Sequence, residues 1–450
     1  MFKSLIGDKK FYKTVLLIAL PIMLQQGITS FVSLLDNIMI GQLNQEAIEG
    51  VNIANQILFI IMMALSGGLA GPGIFIAQYN GAKDDEGVRQ SFRVKLIFAV
   101  TISIIGFLII FFNDRFLASL FLDKEASIDS AVNYFKYATL TIIPICFIQV
   151  YGTSLREIGH AIFPMIAGIV AVVINITLNY LLIYGNYGFP NMGVSGASLA
   201  TLIARIVEAL MVITYSHIQK FNFAHHVYRD FRISRNNLIN ITKKGLPVLS
   251  NEILWSGANT LLVFAYSLRG GDAVVSVSIT SITMNLFYVS FNALASGVAI
   301  LVGSELGSNN LEGAYDNAKK LVFFSVSVCI GLSIILFFIA PYVPLLFNIS
   351  VNARSMATKL LRIMSFMFPV FMYNTNNFFV LRAGGRTVLA FIFDSCFMWT
   401  ISVPLALLLG YLTTLPLIYF YGIIQSLDLL KIIPGYKLFK SKIWIKNLTI

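Results

Sequence analysis

The sequence predicts an all-α integral membrane protein whose twelve transmembrane helices form two pseudo-symmetric halves of six. Three observations predict it. Of 450 residues, 57% are hydrophobic and only 12% charged, against about 25% charged in a soluble protein. Apolar runs of the ~20 residues that cross a bilayer as a helix recur from Val15 to Ile433. The chain also matches itself without a gap on a shift of 226 positions. That shift pairs Pro21 with Pro247, Gly71 with Gly297, Gly81 with Gly307, Gly87 with Gly313, Arg156 with Arg382 and Gly159 with Gly385.

In chain order the spans fall near 14–40, 51–79, 92–112, 132–155, 162–184 and 194–217, then 241–268, 274–303, 320–340, 355–381, 388–410 and 414–434. The first run, Val15 to Ile40, is too long for a signal-peptide core and lacks a small-residue cleavage site, so it reads as a retained span. The expected domains are a first lobe over 1–219, a basic linker over 220–240, a second lobe over 241–436 and a basic tail over 437–450. Six spans per repeat is an even number, so both repeats start on the same side of the membrane. They are parallel repeats about an axis along the membrane normal, an arrangement that favours a carrier over a channel.

The net charge of +11 suggests nucleic acid in a soluble protein. Here the basic residues sit in connectors, where they report topology. Lys9, Lys10, Lys13, Lys83, Arg89, Arg93, the Lys220–Lys244 connector and the Lys431–Lys446 tail share one side. Both termini are therefore expected in the cytoplasm, the protein in the cell (inner or plasma) membrane, and the long basic connector on an anionic leaflet. Cys146, Cys329 and Cys396 are scattered through apolar runs, and the four histidines show no ligand spacing. No disulfide framework, metal site, nucleotide loop or nucleophilic triad is legible, so neither an enzyme nor a cofactor is expected.

Charged and amide residues inside the spans are the candidates for function, because each costs free energy to bury in lipid. Asp36 leads. A carboxylate taken out of water also takes up a proton more readily. Asn175 and Asn179 share one face of span five, and their oxygens suit sodium or a hydrogen bond to Asp36. Glu252 follows Pro247 in span seven. Arg205 and Glu208 are placed to pair at i,i+3. Asp394 in span eleven is expected to pair with Arg382 or Arg386, as a gate or a structural contact. Pro21 interrupts span one as a hinge or a static kink. Met62, Met63, Met284, Met364, Met367 and Met372, with Tyr373, Asn374 and Asn377, are candidates for an adaptable cavity wall.

The ordered set of motifs resembles the multidrug and toxic compound extrusion (MATE) transporters over nearly the whole length. It comprises Pro21 before Leu35-Asp36-Asn37-Ile38-Met39-Ile40-Gly41; Gly71-Pro72-Gly73 and Ala77-Gln78-Tyr79-Asn80-Gly81-Ala82; Arg156 and Gly159; Asn175 and Asn179 before Gly188-Phe189-Pro190 and Gly196-Ala197-Ser198-Leu199-Ala200-Thr201; then Pro247, Glu252, Arg382-Ala383-Gly384-Gly385, Asp394, Trp399 and Pro404. The resemblance implies two six-helix lobes around a V-shaped cavity. It implies export of cationic drugs or dyes, with H+ or Na+ as the coupling ion held at Asp36. Through it, Thr201 matches a polar ligand of that site. Where some relatives carry an aspartate, this chain has Asn179, and span ten, Phe371 to Asn377, holds asparagines and no acid. The expected partners are small organic cations and membrane lipids, and the expected working unit is a monomer. The alternative reading is a flippase for lipid-linked oligosaccharides, whose anionic cargo calls for a cavity rich in Lys and Arg.

Overall fold

The computed structural model describes residues 5–229, 231–347 and 349–449, apart from the side chains of Ser33, Leu34, Asn37, Ile38 and Gln45. Among the described residues twelve long helices follow one another. They are α1 Lys9–Gly41, α2 Gln45–Gly81, α3 Asp85–Ser119, α4 Glu125–Glu157, α5 Ile162–Tyr184 and α6 Gly193–Ile218, then α7 Arg235–Ser267, α8 Gly271–Gly307, α9 Leu311–Ile339, α10 Val351–Ala383, α11 Thr387–Leu412 and α12 Leu417–Lys440. No strand occurs among the described residues. In a bilayer this follows from chemistry: the hydrocarbon offers no partner to a peptide group, and a helix satisfies its own.

Eleven of these helices are long and apolar enough to cross a membrane. The exception, α7, has the length, at 33 residues, but carries Ser250, Asn251, Glu252, Ser256, Asn259 and Thr260 where a lipid-facing helix would be apolar. It is the counterpart of α1 in the repeat. The outer faces of other helices are frankly apolar. Ile104, Ile105, Phe111 and Phe112 of α3, and Ile334, Ile335 and Phe338 of α9, are all exposed. In water such faces would drive aggregation; against acyl chains they cost nothing.

The repeat holds down to the turns. A shift of 226 carries Lys9–Gly41 onto Arg235–Ser267, Gln45–Gly81 onto Gly271–Gly307 and Glu125–Glu157 onto Val351–Ala383. Lys83 and Asn309 both adopt left-handed backbone, with φ of 59° and 62°. The next residues, Asp84 and Asn310, cap α3 and α9 by accepting from the N–H of Gly87 and Gly313 at 2.9 and 3.1 Å, which satisfies helix-start donors. Gly159 and Gly385 end α4 and α10 with φ of 90° and 69°, where a side chain is strained.

Two compact units emerge from the packing. One comprises Leu20–Asn80 and Asp84–Leu249, the other the segment ending at Ala19 with Gly81–Lys83 and Ser250 onward. Two of the boundaries fall within a helix close to a proline, at Pro21 of α1 and Pro247 of α7. The first unit has an apolar core that joins Ile40, Val51, Ala54, Phe135 and Ile183. The core of the second joins Met284, Phe291, Met364, Phe368, Met372 and Phe420.

The connector after α6 is packed in part into the first unit. Phe223, Ala224 and Val227 are fully buried. Phe223 stacks on Phe92 at 5.0 Å. The Arg93 guanidinium of α3 donates to the carbonyls of Val227 and Arg232 at 3.0 and 2.9 Å. In the second unit, Trp444 of the tail is likewise fully buried, and its indole N–H donates to the Phe439 carbonyl at 3.1 Å. Each half ends in an aromatic anchor, so neither segment is a simple charged strap.

Candidate functional site

Asp36 lies near the end of α1 and turns into the first unit. Its Oδ1 accepts from Asn179 Nδ2 at 2.6 Å, and the same amide reaches Asn175 Oδ1 at 3.3 Å. Asn175 Nδ2 donates to Thr201 Oγ1 at 3.1 Å, and the Thr201 hydroxyl donates to the Ala197 carbonyl at 3.0 Å. One chain of hydrogen bonds therefore links α1, α5 and α6. The four-residue spacing of Asn175 and Asn179 makes this possible by stacking both amides on one face. Tyr184 of α5 fixes the end of α1 by donating to the Met39 carbonyl at 2.9 Å.

Asp36, Asn175, Thr201 and Arg205 line a small cavity with Thr29 and Val32. It offers about 50 Å³ to water-sized molecules, room for roughly three or four waters. The Arg205 guanidinium is tied to Glu208 at 2.6 Å. Asn179 is fully buried, and its Oδ1 has no hydrogen-bond partner. Such an oxygen is costly unless something donates to it.

The second unit holds a different cluster, and here the sequence expectations need correction. Asp394 was expected to pair with Arg382 or Arg386. It is held instead by Lys431 Nζ at 3.5 Å and by Asn251 Nδ2 at 3.2 Å. Arg382 lies 3.7 Å from Glu252 and over the ring of Phe379, while Arg386 donates to the Ile443 carbonyl. Lys431, grouped by sequence with the basic tail, is 5% exposed. It pairs with Asp428 at 2.9 Å and sits over the Phe397 ring. Asn374 donates to the Asp428 carbonyl at 2.9 Å, and Ser395 donates to Asn251 Oδ1 at 2.7 Å.

Backbone irregularity converges on this cluster. Asp394 lies in a π-helical turn, Ile392–Cys396, and Lys431 ends a 3-10 turn, Leu427–Lys431. Wide and tight turns inside helices free backbone groups and often mark functional positions.

The methionines need a second correction. Met284, Met364 and Met372 are packed into the apolar core of the second unit, and Met367 is also buried. The first three fill space in that core rather than line a cavity wall. Met62 and Met63 are half-buried, as is Tyr373. Asn377 donates to the Tyr373 carbonyl at 2.9 Å.

Lys95 and Glu157 escaped the sequence reading. Lys95 of α3 is fully buried, and its ammonium bonds both Glu157 oxygens at 2.9 and 2.7 Å and Ser154 Oγ at 3.2 Å. A lysine between Val94 and Leu96 in an apolar helix was the available signal.

This constellation of buried amides and acids in two repeated six-helix halves defines a membrane transporter. The MatE family model matches residues 21–181 and again 247–408, two stretches whose starts stand at the same 226-residue shift. The chain belongs to the MATE family of multidrug efflux transporters. It is 23% identical to the uncharacterised transporter YisQ of Bacillus subtilis over 99% of this chain and 98% of that one. It is 25% identical to the probable multidrug resistance protein YoeA of Bacillus subtilis, over 90% and 89%, and 23% identical to the probable multidrug resistance protein NorM of Thermotoga maritima, over 88% and 84%. Among solved structures, a MATE transporter in complex with MaL6 superposes with a TM-score of 0.86 at 22% identity, covering 98% of both chains. An outward-facing multidrug resistance MATE transporter superposes equally well at 21% identity.

Proposed function

We propose that this protein is a secondary antiporter of the cell membrane that exports small organic cations against an inward flow of a coupling cation. The observation that carries the reading is the Asp36 network. A carboxylate in a membrane helix is expensive, and this one is turned into its own helical half, where three polar side chains and a small cavity meet it. That placement suits a group whose charge changes during the cycle.

In this reading Asp36 accepts the coupling cation from the outside. Filling the site alters the hydrogen bonds to Asn179, α1 adjusts at Pro21, and cargo leaves. The emptied protein then opens inward, as expected for alternating access between parallel repeats. Glu252 in α7, held against Arg382, is an acidic group of the second half along with Asp394 and Asp428. The working unit is a monomer with both termini in the cytoplasm.

The test is dye efflux from proteoliposomes under an imposed cation gradient, comparing wild type with Asp36→Asn. Gradient-driven efflux is expected to be lost in the variant. Survival of that efflux ends the reading.

A further inference from the structure

Arg205 and Lys431 occupy the same position of the repeat, 226 residues apart. Each is a basic side chain inside a half. Each is tied to an acid one helical turn away, Glu208 at 2.6 Å and Asp428 at 2.9 Å. Each also stands at the polar cluster of its half. Arg205 lines the cavity with Asp36 and lies within electrostatic reach of it, and Lys431 contacts Asp394. We propose that Arg205 and Lys431 are tethered counter-cations that deny inorganic cations such as Na+ a place in either half, so that a proton gradient and not a sodium gradient drives transport. This rests on the reading of Asp36 as the coupling residue and narrows it.

Charge comes first. A sodium ion entering the Asp36 cavity adds a point charge next to a fixed guanidinium, in surroundings that screen poorly. A proton bound by the carboxylate neutralises it and adds no separate charge to be housed beside that guanidinium.

Ligand geometry comes second. A sodium ion must trade its water shell for several oxygens, yet oxygens near Asp36 are already engaged: Asn175 Oδ1 accepts from Asn179 at 3.3 Å and Thr201 Oγ1 from Asn175 at 3.1 Å. Asn179 turns its N–H to the carboxylate, Asn175 turns its own to Thr201, and the Thr201 hydroxyl is committed to the Ala197 carbonyl. The buried acceptor left over is Asn179 Oδ1, and a neutral carboxyl group carries the one O–H that such an oxygen lacks. The other ionisable groups near the site are Tyr134 of α4, which donates to Asn55 at 3.1 Å, and Glu208, which Arg205 already holds.

In the second half the place is filled outright. The Lys431 ammonium bridges Asp428 and Asp394 and rests 4.8 Å from the centre of the Phe397 ring. An ammonium so placed meets the electrostatic demand that a metal cation would otherwise meet.

The experiment is efflux of ethidium, an organic monocation, from proteoliposomes. One arm imposes a pH gradient without sodium, the other a sodium gradient at equal pH on both sides. Wild type is expected to respond to the first and not the second. Arg205→Met combined with Glu208→Gln, which removes the fixed cation without stranding its partner, is expected to gain a response to sodium. Arg205→Lys keeps the charge and is expected to stay blind to sodium, so the prediction stands even where the double variant does not fold. A sodium-driven efflux in wild type or in Arg205→Lys overturns the inference, as does a folded double variant without a sodium response. Asp36→Asn separates the two readings. If it abolishes a sodium-driven wild-type efflux, only the present inference falls. If it transports like wild type under a proton gradient, the Asp36 reading falls.

Discussion

Asn179 Nδ2 stands 2.6 Å from Asp36 Oδ1, so a neutral amide of α5 holds the acid of α1 across 143 residues of chain. A hydrogen bond to an ionised group contributes about 1.5–3 kcal/mol. Asn179→Leu keeps much of the volume and removes the donor. The expected outcome is a sharp fall in gradient-driven efflux with the protein still folded, read as efflux rate beside thermal unfolding in detergent. Unchanged efflux would mean that the amide does not help to set the state of Asp36.

Lys431→Met leaves Asp394 and Asp428, whose side chains are 23% and 26% exposed, without their shared cation. Stranding partly buried charges is destabilising, whereas replacing both sides of the pair is far milder. The single variant is expected to unfold at a clearly lower temperature than wild type, and Lys431→Met with Asp428→Asn to recover part of the loss. Non-additivity in that double-mutant cycle is the measure. Simple additivity would show that the ion pair carries no coupling.

The two-fold architecture was legible because its signals are covalent spacing and composition. Gly87 and Gly313 match in sequence because a Cβ at either would overlap a neighbouring side chain, Tyr79 in the first case and the capping Asn310 in the second, and Gly159 and Gly385 because each ends a helix in left-handed backbone. Asp36, Asn175 and Asn179 were legible because burial of polar side chains in lipid is costly and selects few positions. Partner choice in the second half was not legible. Asp394 lies twelve positions from Arg382 in sequence, yet the π-helical turn at Ile392–Cys396 alters the helical phase on which any spacing rule depends. Lys431 was misread because its neighbours Lys437 and Lys440 belong to a basic tail, although the repeat already placed it opposite Arg205. Met284, Met364 and Met372 went to the core because a flexible thioether suits a packed core as well as a binding wall.

Gly159 and Gly385 give a direct test of the repeated turn. Alanine at a left-handed position costs about 1–2 kcal/mol, and nothing crowds the space where a Gly159 side chain would begin. Gly159→Ala is therefore expected to destabilise through backbone strain alone. At Gly385 a side chain would also meet Leu448 at 2.8 Å, so Gly385→Ala is expected to cost more. Unfolding temperatures of the two variants in the same detergent give the comparison, and equal losses would remove the tail contact from the account.

Trp444 anchors the tail of the second unit. Its ring is fully buried beside Tyr315 and Phe439, at centroid distances of 6.3 and 5.7 Å. Its backbone lies so close to Gly384 that a side chain there would overlap the Trp444 carbonyl. Removing a buried tryptophan costs about 3–5 kcal/mol. Because the tail packs on the ends of α9, α10 and α12, Trp444→Ala is expected to lower the unfolding temperature and to expose the segment around Lys440 to protease. Trp444→Phe refills part of the space and is expected to restore most of the protection. Limited proteolysis followed by mass spectrometry reads the cut site, and an alanine variant as resistant as wild type would mean that the ring does not hold the tail.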